Sequence, residues 1–203
     1  MFRFHPLLAR PITRDEQGAT LPEFAIVLPT FLVLLFGIFD IGQTMYAQSV
    51  LQGAMQDAGR DAGLESGTNE LEQIDQYIKD QTKAIVFGNP RYNLERVNYK
   101  SFNDVERPED FEDKNNNDVY DSDECFWDEN ATGHWEADVG SDGIGGAKDV
   151  AVYTATIEYD RVFPLWKLIG LSDTSTISAR TVLRNQPFGP QASRTKKKIC
   201  PGI

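Results

Sequence analysis

Acidic and amide side chains in the second half of the chain have the spacing of a cation-binding loop. Twelve residues, DKNNNDVYDSDE from Asp113 to Glu124, place oxygen-bearing side chains at positions 1, 3, 5, 9 and 12 of the EF-hand loop. Position 6 departs from that pattern, because Asp118 stands where the sharp turn favours glycine. The candidate ligands of this first loop are Asp113, Asn115, Asn117, Asp121 and Glu124, with the backbone carbonyl of Val119 at position 7.

A looser copy of the same pattern follows at once. The stretch DENATGHWEAD, from Asp128 to Asp138, has Gly133 at the turn, and the similar starts FEDKN and FWDEN indicate a short internal duplication. Position 12 is Val139, so the closing carboxylate is expected to come from Asp138 or Asp142. The candidate ligands of this second loop are Asp128, Asn130, Thr132, His134, Glu136 and Asp138.

Calcium is the metal that suits both loops, because their side chains offer hard oxygen ligands. Zinc is disfavoured, since Cys125 and His134 lack the companions that a zinc site needs. Residues 104–142 hold 15 acidic residues against two basic ones, so this segment is more negative than the whole chain at −11. One or two calcium ions should therefore order it; the alternative is a solvated acidic loop. EF-hand helices are not expected, because Pro108 and nearby β-type residues leave little room for them.

An apolar run near the N-terminus predicts one membrane-spanning helix. From Phe24 to Ile41 the only charge is Asp40, and about 20 apolar residues cross a hydrocarbon core of roughly 30 Å. Three arginines precede the run and no Lys or Arg follows it until Arg60, which predicts a cytoplasmic N-terminus and a C-terminal part outside the membrane. A cleaved secretory signal would have a shorter apolar core, and a buried helix is rarely apolar on every face.

The residues ahead of this run resemble the prepilin cleavage motif of the Flp type. Gly18 is followed, after four residues, by Glu23 and Phe24 at the head of the apolar helix. The resemblance implies that a prepilin peptidase cuts after Gly18 and leaves Ala19 as the new N-terminus. A carboxylate at the edge of an apolar helix is unfavourable, and the α-ammonium of a neighbouring subunit would compensate it. The alternative is an interfacial Glu23 whose side chain reaches water.

Beyond the apolar run, the periodicity predicts an α+β fold. A stripe of Leu51, Met55, Ala58 and Ala62 continues the first helix to about residue 64, and a second helix is predicted over residues 71–86. Segments rich in β-branched and aromatic residues predict a small antiparallel sheet with the acidic segment as an insertion; they cover 96–102, 150–159 and 174–183. The predicted division is a leader at 1–18, an anchoring and extended helix at 19–66, and a periplasmic domain at 67–203.

Several stretches of the chain together carry a family resemblance: the basic leader, LPEFAIVLPTFLVLLFGIFDIGQTMY, LQGAMQDAGRDAG and the closing FPLWKLIGLSDTSTISARTVLRNQPF. They resemble the TadE-like proteins of the Tad (Flp) pilus machinery. The resemblance implies a pilin-like fold and a minor pseudopilin that acts in the assembly of adherent pili, with Glu23 serving assembly. A major Flp pilin is far shorter, which favours a minor component or an assembly factor. The implied partners are the inner membrane, other pilins or pseudopilins, the Tad secretion machinery and a prepilin peptidase.

Other classes of function fit the residues less well. An acidic chain argues against a nucleic-acid partner, and two histidines give no convincing Ser/His/Asp or Cys/His set, so an enzyme is not expected. A permanently tethered calcium-binding module, an adhesin or a sensor, remains the alternative, and it would keep residues 1–18. Cys125 and Cys200 would both be periplasmic, where they form either one bridge or two independent thiols.

Overall fold

A computed structural model describes residues 20–62, 68–163, 165–168, 170, 172–184 and 195–201. Its fold is α+β, as predicted, with one long helix, a second helix and antiparallel sheets. The helices are α1 (Thr20–Ala62), α2 (Thr68–Lys83) and α3 (Leu165–Leu168). The strands are β1 (Phe87–Tyr99), β2 (Phe126–Asp128), β3 (Ser141–Asp142), β4 (Val150–Asp160), β5 (Thr174–Arg184) and β6 (Lys197–Ile199).

Helix α1 has two halves with different surroundings. In its N-terminal half the large apolar side chains are exposed, among them Leu21, Ile26 and Ile38. In its C-terminal half, Leu51 and Met55 of the predicted stripe are buried, because they pack against α2 and the sheet. Within the described residues, α1 is the one helix long and apolar enough to cross a membrane, and 6% of its most apolar window is buried in the fold. That exposure is unlike the core helix of a soluble domain.

The main sheet lies against α1 and α2. Its strand order is β3-β1-β4-β5 and all its pairings are antiparallel. Alternate residues of β4, such as Ala155, Ile157 and Tyr159, face the helices and complete the core. Strand β1 begins at Phe87 and not at the predicted residue 96, because its pairing with β4 continues to the far end of that strand across an irregularity near Gly88.

The acidic segment follows β1 and is held by a second, two-stranded sheet and a cluster of aromatic side chains. Strands β2 and β6 pair with each other, and Phe111 forms an isolated bridge with Phe126. Around that bridge, Tyr120 stacks on Trp135 with ring centroids 4.8 Å apart, and both rings meet Phe111 edge-on. This aromatic cluster lies between the two candidate loops and gives them a shared apolar support.

Candidate functional site

The first loop, residues 113–124, is organised around the carboxylate of Asp113. Its Oδ2 accepts a hydrogen bond from the backbone N–H of Asp118 at 2.8 Å, and its Oδ1 accepts one from Asn117 at 3.2 Å. The N–H groups, first that of Asp118, lower the pKa of Asp113. The carboxylate therefore stays ionised and fixes the start of the turn.

The backbone of the first loop makes the sharp turn that the pattern requires, although glycine is absent from position 6. Asn116 and Asp118, at positions 4 and 6, have φ of 58° and 57°. Asn and Asp enter this left-handed region more readily than other residues with a Cβ. The side chain of Asn117 supports the turn, because its Oδ1 accepts the N–H of Val119 at 2.8 Å. The departure at Asp118 thus leaves the shape of the loop intact.

Glu124 closes the first loop from position 12. Its side chain is only 1% exposed. One carboxylate oxygen accepts the N–H of Lys114 at 2.7 Å and the other accepts the N–H of Asp121 at 3.1 Å. These donors belong to positions 2 and 9, so the carboxylate joins the two ends of the loop.

The side chains at positions 3, 5 and 9 of the first loop converge. The amide groups of Asn115 and Asn117 donate to the same oxygen of Asp121, at 2.7 and 3.1 Å. An amide side chain can also turn its carbonyl oxygen inward, since its two ends have nearly the same shape. The three side chains are therefore close enough to offer several oxygens to one cation.

The second loop, residues 128–138, repeats this arrangement. Asp128, which is buried, accepts the N–H groups of Ala131, Thr132 and Gly133 at 2.6, 3.2 and 3.0 Å. Ala131 and Gly133, at positions 4 and 6, have φ of 67° and 83°. The two loops therefore share both the role of their first residue and the positions of their left-handed residues.

The inner side chains of the second loop also meet at position 9. Oε2 of Glu136 accepts a hydrogen bond from the amide of Asn130 at 2.6 Å and one from the hydroxyl of Thr132 at 3.2 Å. The backbone carbonyl of His134 accepts from the same hydroxyl at 3.2 Å, while its exposed imidazole lies 3.3 Å from the other oxygen of Glu136. The structure thus brings Asn130, Thr132 and Glu136 together, as in the first loop.

The closing carboxylate of the second loop is Glu109, a residue that sequence spacing did not identify. Its oxygens accept the N–H groups of Glu129 at 2.8 Å and Glu136 at 3.2 Å, which are positions 2 and 9 of this loop. Glu124 accepts from the same two positions in the first loop. Glu109 is 1% exposed, as Glu124 is.

The two residues expected to close the second loop lie elsewhere. Asp138 accepts the hydroxyl of Tyr99 at 2.7 Å and the N–H of Gly140 at 3.0 Å, and Asp142 pairs with β1 as part of β3. Glu109 precedes both loops in the chain, so no spacing rule within the loop could find it. The one available signal in the sequence was indirect: position 12 of the second loop is Val139, so a carboxylate from elsewhere was needed, and an acid-rich segment lies upstream.

Burial gives Glu109 an unusual electrostatic environment. Loss of water around its side chain raises its pKa, and the neighbouring carboxylates of Asp128 and Glu136 raise it further. The two backbone N–H donors act in the opposite direction. A cation among these carboxylates would favour the ionised form of Glu109 by offsetting their repulsion.

A disulfide and the C-terminal tail fix the region between the two loops. Cys125 and Cys200 are joined across a sequence separation of 75 residues, next to the pairing of β2 with β6. Lys196 then lies 2.7 Å from Glu129 and 3.0 Å from Asp110, and Lys198 pairs with Glu112. The basic tail offsets carboxylates at the periphery of the loops.

The ligand atoms in these loops are mixed. Among the residues that the structure describes, no three His, Cys, Asp or Glu side chains form a group that could hold a metal by themselves. Each loop instead combines carboxylates with amide, hydroxyl or backbone oxygens. This oxygen-only composition suits calcium and does not suit zinc.

Two of the four predicted processing residues, Glu23 and Phe24, lie at the start of α1. Glu23 occupies the first turn of the helix and Phe24 is exposed, as expected at the head of an apolar rod. A carboxylate there is also favoured by the positive end of the helix dipole. Gly18 and Ala19 lie outside the described residues.

Comparison with known proteins matches the first helix to one family. The model of a family described as TadE-like protein matches residues 18–60, which includes Glu23 and nearly all of α1. No curated protein matches the chain, and no solved structure matches it. The match confirms the resemblance expected from the sequence over residues 18–60. Residues 18–60 of this chain are therefore a TadE-like segment.

Proposed function

We propose that this chain is a minor pseudopilin or assembly factor of a Tad/Flp-type adherent pilus. The observation that carries the proposal is the overlap of the TadE-like match at 18–60 with a helix that is apolar and exposed at one end and packed into a domain at the other. The TadE-like family is not an enzyme family, which agrees with a role in assembly. The helix would anchor the chain in the inner membrane, with the domain in the periplasm.

Processing by a prepilin peptidase is part of this proposal. The test is the intact mass of the native protein recovered from membranes, where we expect the loss of residues 1–18. A Gly18→Val variant should keep the leader, because a β-branched side chain would obstruct cleavage after that residue, and Gly37→Val should be cleaved normally. A wild-type chain that still begins at Met1 would contradict processing and would favour the permanently tethered calcium-binding module.

Glu23 would serve assembly by meeting the α-ammonium that cleavage creates on a neighbouring subunit. A Glu23→Gln variant removes the charge and keeps the shape, so we expect a marked loss of pili on cells. Asp57→Asn is the matched control, because Asp57 is an exposed carboxylate farther along the same helix. Normal piliation with Glu23→Gln would remove the assembly role from that carboxylate.

We further propose that both acidic loops bind calcium. Support comes from the repeated geometry: a first Asp and two left-handed residues occupy equivalent positions, and a buried Glu accepts the N–H groups of positions 2 and 9 in each loop. A ligand at about 100 times its dissociation constant stabilises the folded state by about 2.7 kcal/mol. Thermal unfolding of the full-length protein should therefore shift strongly upward on replacing chelator with calcium, and much less with magnesium. An unchanged transition would overturn the calcium proposal and leave the pilus proposal standing.

A further inference from the structure

Phe163, which lies between β4 and β5, packs against the apolar half of α1. The ring of Phe163 stacks on Phe36 with centroids 4.4 Å apart and meets Phe39 edge-on at 5.6 Å. The contact lies on the part of α1 whose opposite face is exposed, since Ile38 is 72% exposed and Leu34 is 61% exposed. A residue of the folded domain thus contacts the exposed, apolar half of α1.

Polar contacts at Asp40 of α1 fix the position of Arg161 and Trp166 along the helix. Asp40, the only charge in the apolar run, is 2% exposed. It accepts a hydrogen bond from the indole N–H of Trp166 at 2.8 Å and pairs with Arg161. The guanidinium of Arg161 also lies 5.4 Å from the centre of the Trp166 ring and donates to the carbonyl of Thr174. Asp40 is therefore tied through Arg161 to the sheet.

The height of Asp40 suits the expected domain-proximal boundary of a bilayer. At about 1.5 Å per residue, the helix rises roughly 24 Å from Phe24, where the apolar run begins, to Asp40, somewhat less than the roughly 30 Å of a hydrocarbon core. Tryptophan is enriched at such boundaries because its ring is apolar and its N–H is polar. Trp166 is partly exposed beside Asp40, as such a location requires.

We propose that Phe163 and Trp166, which lie between β4 and β5, form a second membrane contact, inserted among the phospholipid headgroups around α1. The contact continues the membrane surface of the helix, which is why we assign it to lipid. It would hold the domain against the bilayer instead of leaving it free to swing on α1. The inference rests on the membrane anchor of the proposed function.

The test uses the full-length chain in nanodiscs of phosphatidylethanolamine and phosphatidylglycerol that carry a nitroxide either near the headgroup or near the end of the acyl chain. The chain has three tryptophans, so the Trp166→Phe variant isolates the signal of interest. We expect the headgroup-level nitroxide to quench wild-type fluorescence more than the deep one. That quenching should be lost in Trp166→Phe and kept in the control Trp127→Phe, because Trp127 lies in β2 of the acidic segment.

Each other outcome counts against the inference. A chain that enters nanodiscs but shows no quenching would overturn it and leave the anchor intact, and so would quenching that persists in Trp166→Phe. If Trp166 were not quenched in nanodiscs but became buried in assembled pili, the surface bearing Phe163 and Trp166 would contact a neighbouring subunit and not lipid. A chain that does not enter nanodiscs at all would overturn the anchor and this inference together. The depth difference in the wild-type protein needs no variant, so the test does not depend on how Trp166→Phe folds.

Discussion

The two acidic loops have the same local geometry and obtain it from different parts of the chain. In the first loop, Asp113 and the closing Glu124 lie within twelve consecutive residues. In the second, Asp128 lies within the loop and the closing carboxylate is Glu109, which precedes both loops. In both, the closing carboxylate accepts the N–H groups of positions 2 and 9. That pair of hydrogen bonds, and not the order of residues, defines the closing role.

The comparison indicates that the second loop depends more on tertiary contacts. Glu109 is held in place by its own backbone, whose N–H donates to the carbonyl of Glu136 at 3.0 Å and whose carbonyl accepts the indole N–H of Trp135 at 3.0 Å. The first loop is closed by residues that remain near each other even in an unfolded chain. The second must recruit its closing residue during folding, with a larger loss of chain entropy.

The largest expected effect comes from removing the disulfide, which both loops share. Cys125 directly follows Glu124 and precedes β2, whose last residue is Asp128. Replacing both cysteines by serine should lower the free energy of unfolding by about 2–5 kcal/mol, because the bond closes a long loop. Thermal unfolding of the detergent-solubilised full-length protein measures the loss. Adding reductant should destabilise the wild type and leave the double variant unchanged; equal stability of the two proteins would contradict the prediction.

The second-largest effect is expected from variants of the two closing carboxylates, each of which should affect one loop only. Glu109→Gln should reduce the number of bound calcium ions from two to one, and Glu124→Gln should do the same through the other loop. An amide offers one acceptor to two N–H donors, so each variant should also lose about 1–3 kcal/mol without calcium. Isothermal titration calorimetry gives the stoichiometry.

The matched control for these variants is Glu112→Gln, an exposed carboxylate that pairs with Lys198 at the surface. Its effect on stability should stay within about 0.5 kcal/mol, with two ions still bound. If Glu109→Gln also kept both ions, the second loop would not be closed by Glu109 in its calcium-bound form. The equivalence of the two loops would then fail.

The smallest effect concerns the turn at position 6, where the two loops carry different residues. Asp118 has φ of 57°, and its replacement by glycine should stabilise the calcium-bound protein by up to about 1 kcal/mol. Gly133 has φ of 83° and open space around it, so Gly133→Ala should destabilise by about 1–2 kcal/mol through backbone conformation alone. Melting temperatures measured with calcium would show shifts of opposite sign; two shifts of the same sign would refute this account of the turn.

Much of the fold was predictable because its signals are local. The apolar run of α1, the stripe of Leu51 and Met55, and the alternation in β4 arise from residues a few positions apart. Strand β1 was predicted only in part, since Gly88 and Pro90 interrupt its local pattern and its pairing with β4 extends it. Strands β2, β3 and β6 are too short to have a pattern of their own.

The sequence by itself determined the long apolar helix, the TadE-like segment and the spacing of the candidate ligands in the first loop, because each is encoded in consecutive residues. Tertiary structure alone decided that Glu109 closes the second loop and that Arg161 and Trp166 meet Asp40. Those partners are distant in the chain, and a buried carboxylate requires donors or a cation wherever the fold can bring them. Spacing along the sequence cannot identify a partner that only folding brings into contact.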